Sequence, residues 1–305
     1  MIDILLATYN GEKFIDTQIS SIINQTYTDW KLYIHDDGST DSTVQKIKLW
    51  TECDSRIVYI EDGVTFHNPG MHFMHLLKFS KSELICFSDQ DDLWLESKLE
   101  IMTKNMEMNS FVPQLIVSNC YLWNSSENSI VPKLDFSCAY NLYEFLFLNG
   151  GLQGCAMMFN RPLLNIMLEH EIKFVYMHDH FTSLCAYSFG KVKFIENRLF
   201  LYRQHSNNAS VHIERNKKEY IKQVMKNYSV PVIYDKSFDG IKIFYEIYKD
   251  DLNKNVKEIF QKYLRFDELK PLKRFLTICL SNFSLGHAKH FKLLLKIILR
   301  KWRVQ

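Results

Sequence analysis

The chain has 305 residues, 47% hydrophobic and 24% charged, enough to bury a full core as one large domain or two smaller ones. No stretch reaches the roughly 18 apolar residues of a spanning helix, and the seven cysteines form no C-x-x-C pair, so a soluble or peripheral protein with free thiols in a reducing cytosol is expected. The formal charge of +2 is uneven: Leu269 to Gln305 carries nine Lys/Arg and no acid, leaving 28 basic against 35 acidic residues, net −7, over residues 1–268.

The N-terminal MIDILLATYN is too short an apolar run for a secretory leader and reads as a first core strand. Further β-rich runs at 30–35, 56–60 and 84–88 alternate with segments of helical period, such as Phe14, Ile15, Ile19, Ile22 and Ile23. This is a βαβ pattern. It predicts an α/β fold with a mostly parallel sheet, helices on both faces, and ligands outside the carboxyl ends of the strands. The loops expected there are LATYNGE, HDDGSTD and SDQDDLW. Ser39, Thr40 and Asp41 offer N-caps to one following helix, and 95–108 reads as another. Strands near 115–120, 155–159, 192–195 and 199–202 then surround helices near 142–149 and 179–189. After Val211 helical periodicity dominates, which predicts a helical extension over 212–305.

Carboxylates about 4 Å apart repel by about 1 kcal/mol in water and about 4 kcal/mol at an effective dielectric near 20. A strand-end run such as Asp89, Asp91 and Asp92 therefore wants a cation. Oxygen ligands favour Mg²⁺ or Mn²⁺, and Mg²⁺ is usually shared with substrate phosphates. The bland reading is a solvated acidic turn at a helix N-terminus. An EF-hand loop fits Asp89, Asp91 and Glu100 but puts Leu93 and Trp94 where a ligand and the glycine belong. Neither G-x-G-x-x-G nor a P-loop is present.

Taken in order and spacing, TYN at 8–10, HDDGSTD at 35–41, SDQDDLW at 88–94, GC at 154–155, MHDHF at 177–181 and YRQHSNN at 202–208 resemble the inverting family-2 glycosyltransferases. The likeness is greatest to bacterial rhamnosyltransferase-like and O-antigen or capsule enzymes, and covers about residues 2–210. It implies a glycosyltransferase A fold: a catalytic domain over 1–211, with a nucleotide-binding half to about 110 and an acceptor half from about 111, followed by the extension at 212–305. Thr8, Tyr9 and Asp37 would hold a pyrimidine nucleoside, Asp37 accepting from the base imide, so UDP- and dTDP-sugars are not distinguished. Asp89 and Asp91 would be the D-x-D pair, Asp91 the better metal ligand and Asp89 near the ribose or the metal waters, with Asp92 a helper.

By the same likeness Asp179 would be the base that takes a proton from the acceptor hydroxyl, although an Asp there also suits a helix N-cap. His205 would approach the metal or the diphosphate, with Arg203 offering its planar fork to phosphate. Gly154, Cys155 and His180 would line the acceptor side, Cys155 as a small buried residue and no nucleophile. His178 and His180 lack a third ligand at zinc spacing. The implied activity is inverting, metal-dependent transfer of a sugar, rhamnose by likeness, to a hydroxyl of a lipid-linked surface polysaccharide intermediate. A non-catalytic nucleotide-sugar or glycan-binding protein of the same fold is the alternative, which donor hydrolysis with added Mn²⁺ would separate. A nucleotidyltransferase needs a Gly-rich basic loop after the first strand, and LATYNGE is not one.

In HAKHFKLLLKIILRKWRVQ, Lys289, Lys292, Lys296, Arg300 and Arg303 oppose Phe291, Leu294, Leu295, Ile298, Leu299 and Trp302. This is a basic amphipathic helix, which predicts docking on an anionic leaflet at the inner face of the cell membrane. The bland alternative is a helix that packs its apolar side on the catalytic domain. Nucleic acid is not an expected partner, because the rest of the chain is net acidic.

Overall fold

The computed structural model describes residues 1–108, 110–125, 127, 129–134, 139–148, 152–204, 233 and 235–279. They divide into two compact units, one of 1–136 with 152–208, the other of 137–151 with 209–305.

In the first unit, β1 (Ile2–Thr8), β2 (Trp30–Asp36), β3 (Ile57–Ile60) and β4 (Leu84–Ser88) lie parallel in the order β3-β2-β1-β4. β1 and β4 are buried along nearly their whole length, which is why they read as continuous apolar runs and not as alternating ones. Asp3 is the exception within β1. Its carboxylate accepts from the hydroxyls of Ser80 and Ser82 and the N–H groups of Lys81 and Ser82, so it ties down the turn before β4.

The chain winds from β1 to β3 in one direction, then crosses to place β4 on the other side of β1. The carboxyl ends of β1 and β4 thus flank a topological switch point, where α/β sheets bind ligands. The intervening helices are α1 (Ile15–Ile23), which buries Ile15, Ile19 and Ile22, α2 (Thr43–Cys53) and α3 (Pro69–Leu77). Asn68 caps α3 by accepting from the Met71 N–H, with a proline in the first turn.

Beyond β4 the sheet becomes mixed. β8 (Met157–Asn160) runs antiparallel to both β4 and β6 (Gln114–Asn124), and β9 (Lys191–Gln204) is parallel to β6. The predicted strands at 192–195 and 199–202 are thus one strand, its polar stretch at Glu196–Arg198 hiding the continuity. Two strands escape the periodicity, both too short or too polar to register: β5 (Leu93–Trp94), antiparallel to β9, and β7 (Ser129–Leu134), paired with β6. β5 also delays the helix expected from 95, since the Leu95 N–H still bonds the Leu199 carbonyl, and α4 spans only Lys98–Lys104. α6 (Arg161–Leu168) and α7 (His178–Phe189) complete this unit.

The second unit is helical where it is described: α5 (Leu142–Leu148), α8 (Asp235–Tyr248), α9 (Lys254–Arg265) and α10 (Pro271–Cys279). Its core is aromatic, Phe147 meeting Tyr263 and Phe266 edge-on at 5.3 and 5.2 Å. Among the described residues no helix is long and apolar enough to cross a membrane, and Cys53, Cys86, Cys120, Cys155 and Cys185 are free thiols. The basic segment at 287–305 lies outside the described residues.

Candidate active site

Three loops at the carboxyl ends of β1, β2 and β4 are knitted into one rim. The Asp37 N–H donates to the Thr8 carbonyl, and Asn10 bonds the loop after β2 twice, its N–H to Ser39 Oγ and its Oδ1 from the Thr40 N–H. Gln90, between the two acids of the D-x-D, takes the Thr8 hydroxyl at 2.5 Å and clasps the Tyr9 peptide with both ends of its amide, each at 3.0 Å. Thr8 and Asp37 are buried while Tyr9 is exposed. One Asp37 oxygen accepts from the Phe66 N–H at 2.5 Å. None of the three expected caps is the N-cap of α2, which is Ser42 without a side-chain cap bond; Asp41, one residue before it, accepts from the Thr43 N–H and hydroxyl.

The acidic loop lies against a single 3-10 turn, Gly154–Ala156, and the start of α7. The Cys155 thiol stands beside Asp89 and Asp92, the ligand atoms of these three residues lying within 4.8 Å of one another. Burial, then the charges of Asp91 and Asp179, push the Asp89 carboxyl up to about 7. Asp92 is fully buried and raised well above the usual carboxylate range by burial and by Asp91 and Asp89. Its Oδ1 accepts from the Arg203 N–H at 3.2 Å, whereas its Oδ2 has no hydrogen-bond partner. Several carboxylates and one orphaned oxygen fit an oxygen-liganded divalent cation.

Asp179, in the first turn of α7, faces the same cluster. Burial raises its carboxyl to about 6, against the pull of hydrogen bonds from the N–H groups of His180, at 2.6 Å, and Gly154. A side chain at Gly154 is impossible without rearrangement: its Cβ would stand 2.2 Å from His178 Nε2. The His178 ring cannot yield, since it is stacked on Phe73 at 3.8 Å and edge-on to Phe87 at 4.8 Å. Cys155 is buried too, its thiol raised well above its ordinary value by burial. Gly154 and Cys155 therefore act here as the mould that sets Asp179 and the acidic loop. His180 is half-buried, edge-on to Tyr176, and burial lowers it to about 4, which keeps it neutral at pH 7.

The Arg203 guanidinium carbon stands over Trp123, 3.8 Å from the ring centre, and its Nε donates to the Asp91 carbonyl at 2.7 Å, so it braces the acidic loop from β9. His205 lies outside the described residues. Three participants had no role in the sequence reading: Gln90, Lys98, and His178, which it weighed only for zinc. Lys98 is fully buried, its Nζ 2.5 Å from the Cys155 carbonyl and 3.9 and 4.4 Å from the ring centres of Trp94 and Phe200. In the fold it shares the buried side of α4 with Leu99 and Met102.

An open α/β sheet with an acidic, hydroxyl-rich rim at its switch point and a half-buried carboxylate beside it is the glycosyltransferase A fold. Residues 3–166 match glycosyl transferase family 2. Similar curated proteins include dTDP-rhamnosyl transferase RfbG of Shigella flexneri, 30% identical over 224 residues, with 67% of this chain and 72% of that one aligned. Another is the UDP-Glc:alpha-D-GlcNAc-diphosphoundecaprenol beta-1,3-glucosyltransferase WfgD of Escherichia coli, 31% identical over 185 residues, with 60% and 68% aligned. Among solved structures, S. aureus TarS 1-349 in complex with UDP superposes with a TM-score of 0.59 at 16% identity, over 95% of this chain and 77% of that one. The chain belongs to glycosyl transferase family 2, in its bacterial O-antigen and capsule type, and is a glycosyltransferase.

Proposed function

We propose that this enzyme transfers a sugar from a UDP- or dTDP-linked donor, with inversion, to a hydroxyl of a lipid-linked surface polysaccharide intermediate. The observation that carries the reading is that Asp89 lies within the electrostatic reach of both Asp91 and Asp179, and Asp92 within that of Asp91 and Asp89. Asp37, Thr8 and Tyr9 would hold the nucleoside, Asp37 with the oxygen not engaged by Phe66. Asp91 and Asp89 would hold a Mg²⁺ or Mn²⁺ ion, with His205 a further candidate, and that ion supplies charge stabilisation to the leaving diphosphate. Arg203 adds positive charge beside it. Asp179 takes the proton of the attacking hydroxyl, and His180 and the 154–155 turn shape the acceptor side.

Rhamnose and a diphosphoundecaprenol-type acceptor are favoured by the names of the two relatives. The test is a panel of UDP-, dTDP- and GDP-sugars with Mn²⁺, read as thermal stabilisation. Pyrimidine donors should raise the midpoint and GDP-sugars should not, each hundredfold excess over Kd adding about 2.7 kcal/mol. A GDP-sugar response alone would refute the Asp37 assignment. The basic segment at 287–305 would attach the enzyme to the cytoplasmic leaflet. Full-length chain should co-sediment with anionic vesicles and a chain ending before His287 should not; equal sedimentation would exclude membrane docking by that segment.

A further inference from the structure

Away from the acidic loop, three elements bring together a second group of ligand-type side chains. His35 lies at the end of β2, Asp62 in the loop after β3, and His75 in α3. His35 Nε2 is 3.0 Å from Asp62 Oδ1, and His75 Nε2 is 2.7 Å from Asp62 Oδ2. All three donor atoms lie within 4.8 Å of one another. Behind them His72 Nε2 stands 2.7 Å from His35 Nδ1.

The geometry points to His35, Asp62 and His75 as the ligands of a zinc-class transition-metal ion, with His72 as the outer partner that fixes the His35 tautomer. A tetrahedral ion with bonds of about 2.0–2.2 Å holds its ligands about 3.4 Å apart, so the two short contacts need open by only about 0.4 to 0.7 Å. Two imidazoles and one carboxylate select zinc, cobalt or nickel over Mg²⁺ or Ca²⁺, which prefer all-oxygen sites. The pocket has a wall and a mouth: the His35 side chain is 2% exposed, those of His75 and Asp62 16% and 29%. Water takes the fourth position at the mouth. On binding, the His35 proton resides on Nδ1, where His72 Nε2 accepts it.

Hydrogen bonds alone also satisfy this cluster, each histidine donating from Nε2, and that arrangement binds no metal. What the metal account adds is a reason for both imidazoles to aim Nε2 at one carboxylate while a third orients the inner ring from behind. It also assigns the ion a task. Phe66, four residues beyond Asp62, packs its ring 5.0 Å from His75 and 6.0 Å from His72, and its N–H holds Asp37. The ion staples this loop to β2 and α3 and so steadies Asp37. That consequence rests on the proposed donor site; the metal binding does not.

Co²⁺ titrated into the full chain tests the proposal, since tetrahedral nitrogen-ligated cobalt absorbs strongly in the visible. One equivalent should produce the band. His75→Gln, at a partly exposed position, should abolish it, His72→Phe should weaken binding roughly 10- to 100-fold, and Asp91→Asn should retain it. Thermal midpoints of the metal-free variants confirm folding. A band kept in His75→Gln, or cobalt uptake that disappears only in Asp91→Asn, overturns the site, whatever the donor panel shows.

Discussion

Asp179→Asn should lower turnover roughly 10²–10⁴-fold, the usual contribution of a positioned general base, while donor binding persists. The amide keeps the shape, and its oxygen still accepts from the His180 N–H, so the start of α7 is preserved. What is lost is basicity. Burial raises the Asp179 carboxyl to about 6, so it is protonated at pH 5 and ionised at pH 7.5. A base works in its ionised form, hence kcat/KM of the parent enzyme should climb nearly tenfold per pH unit below about 6 and flatten above. The Asp179 charge helps to raise Asp89 to about 7, so the limb reports the pair. In the variant the residual rate should lose the part of the limb owed to Asp179. Near-normal turnover, or an unaltered limb, would remove Asp179 from the chemistry.

The parts of this site that could be read from the residues are those encoded by local pattern. Four strands of apolar or β-branched residues, each followed by a polar loop, place LATYNGE, HDDGSTD and SDQDDLW at carboxyl ends, and the structure joins those loops through Gln90 and Asn10. The resemblance carried Asp179 and Arg203. What escaped depends on contacts between distant residues. β5 is two residues long and exists only because β9 pairs with it. Lys98 looks like any helical lysine until Trp94, Phe200 and the Cys155 carbonyl enclose it. His35, Asp62, His72 and His75 span 40 positions of sequence and meet because β2 and β3 are adjacent and α3 covers their ends. His178 is named by its motif, but only the packing shows it as an apolar wedge beneath Gly154.

Mn²⁺ affinity should rise nearly tenfold per pH unit below about 7 and level off above it, because ligation requires Asp89 to release its proton. Asp92, raised further by burial, would steepen the dependence if it too must ionise. Stability of the metal-free chain should move the opposite way. A carboxyl raised in the folded state binds more protons there than in the unfolded chain, so folding stability falls as pH climbs from about 4 through 7. The thermal midpoint of chelated enzyme should therefore drop by several degrees between pH 5 and pH 8, and Mn²⁺ should restore it. Asp91→Asn separates charge from ligation. Removing that charge relieves Asp89 and Asp92 of a repelling neighbour, so the metal-free variant should melt higher than the parent at pH 8 while its Mn²⁺ response disappears. A midpoint that is flat with pH, or a full Mn²⁺ response in Asp91→Asn, would show that the strand-end carboxylates are not the cation site, since one repulsion underlies both effects.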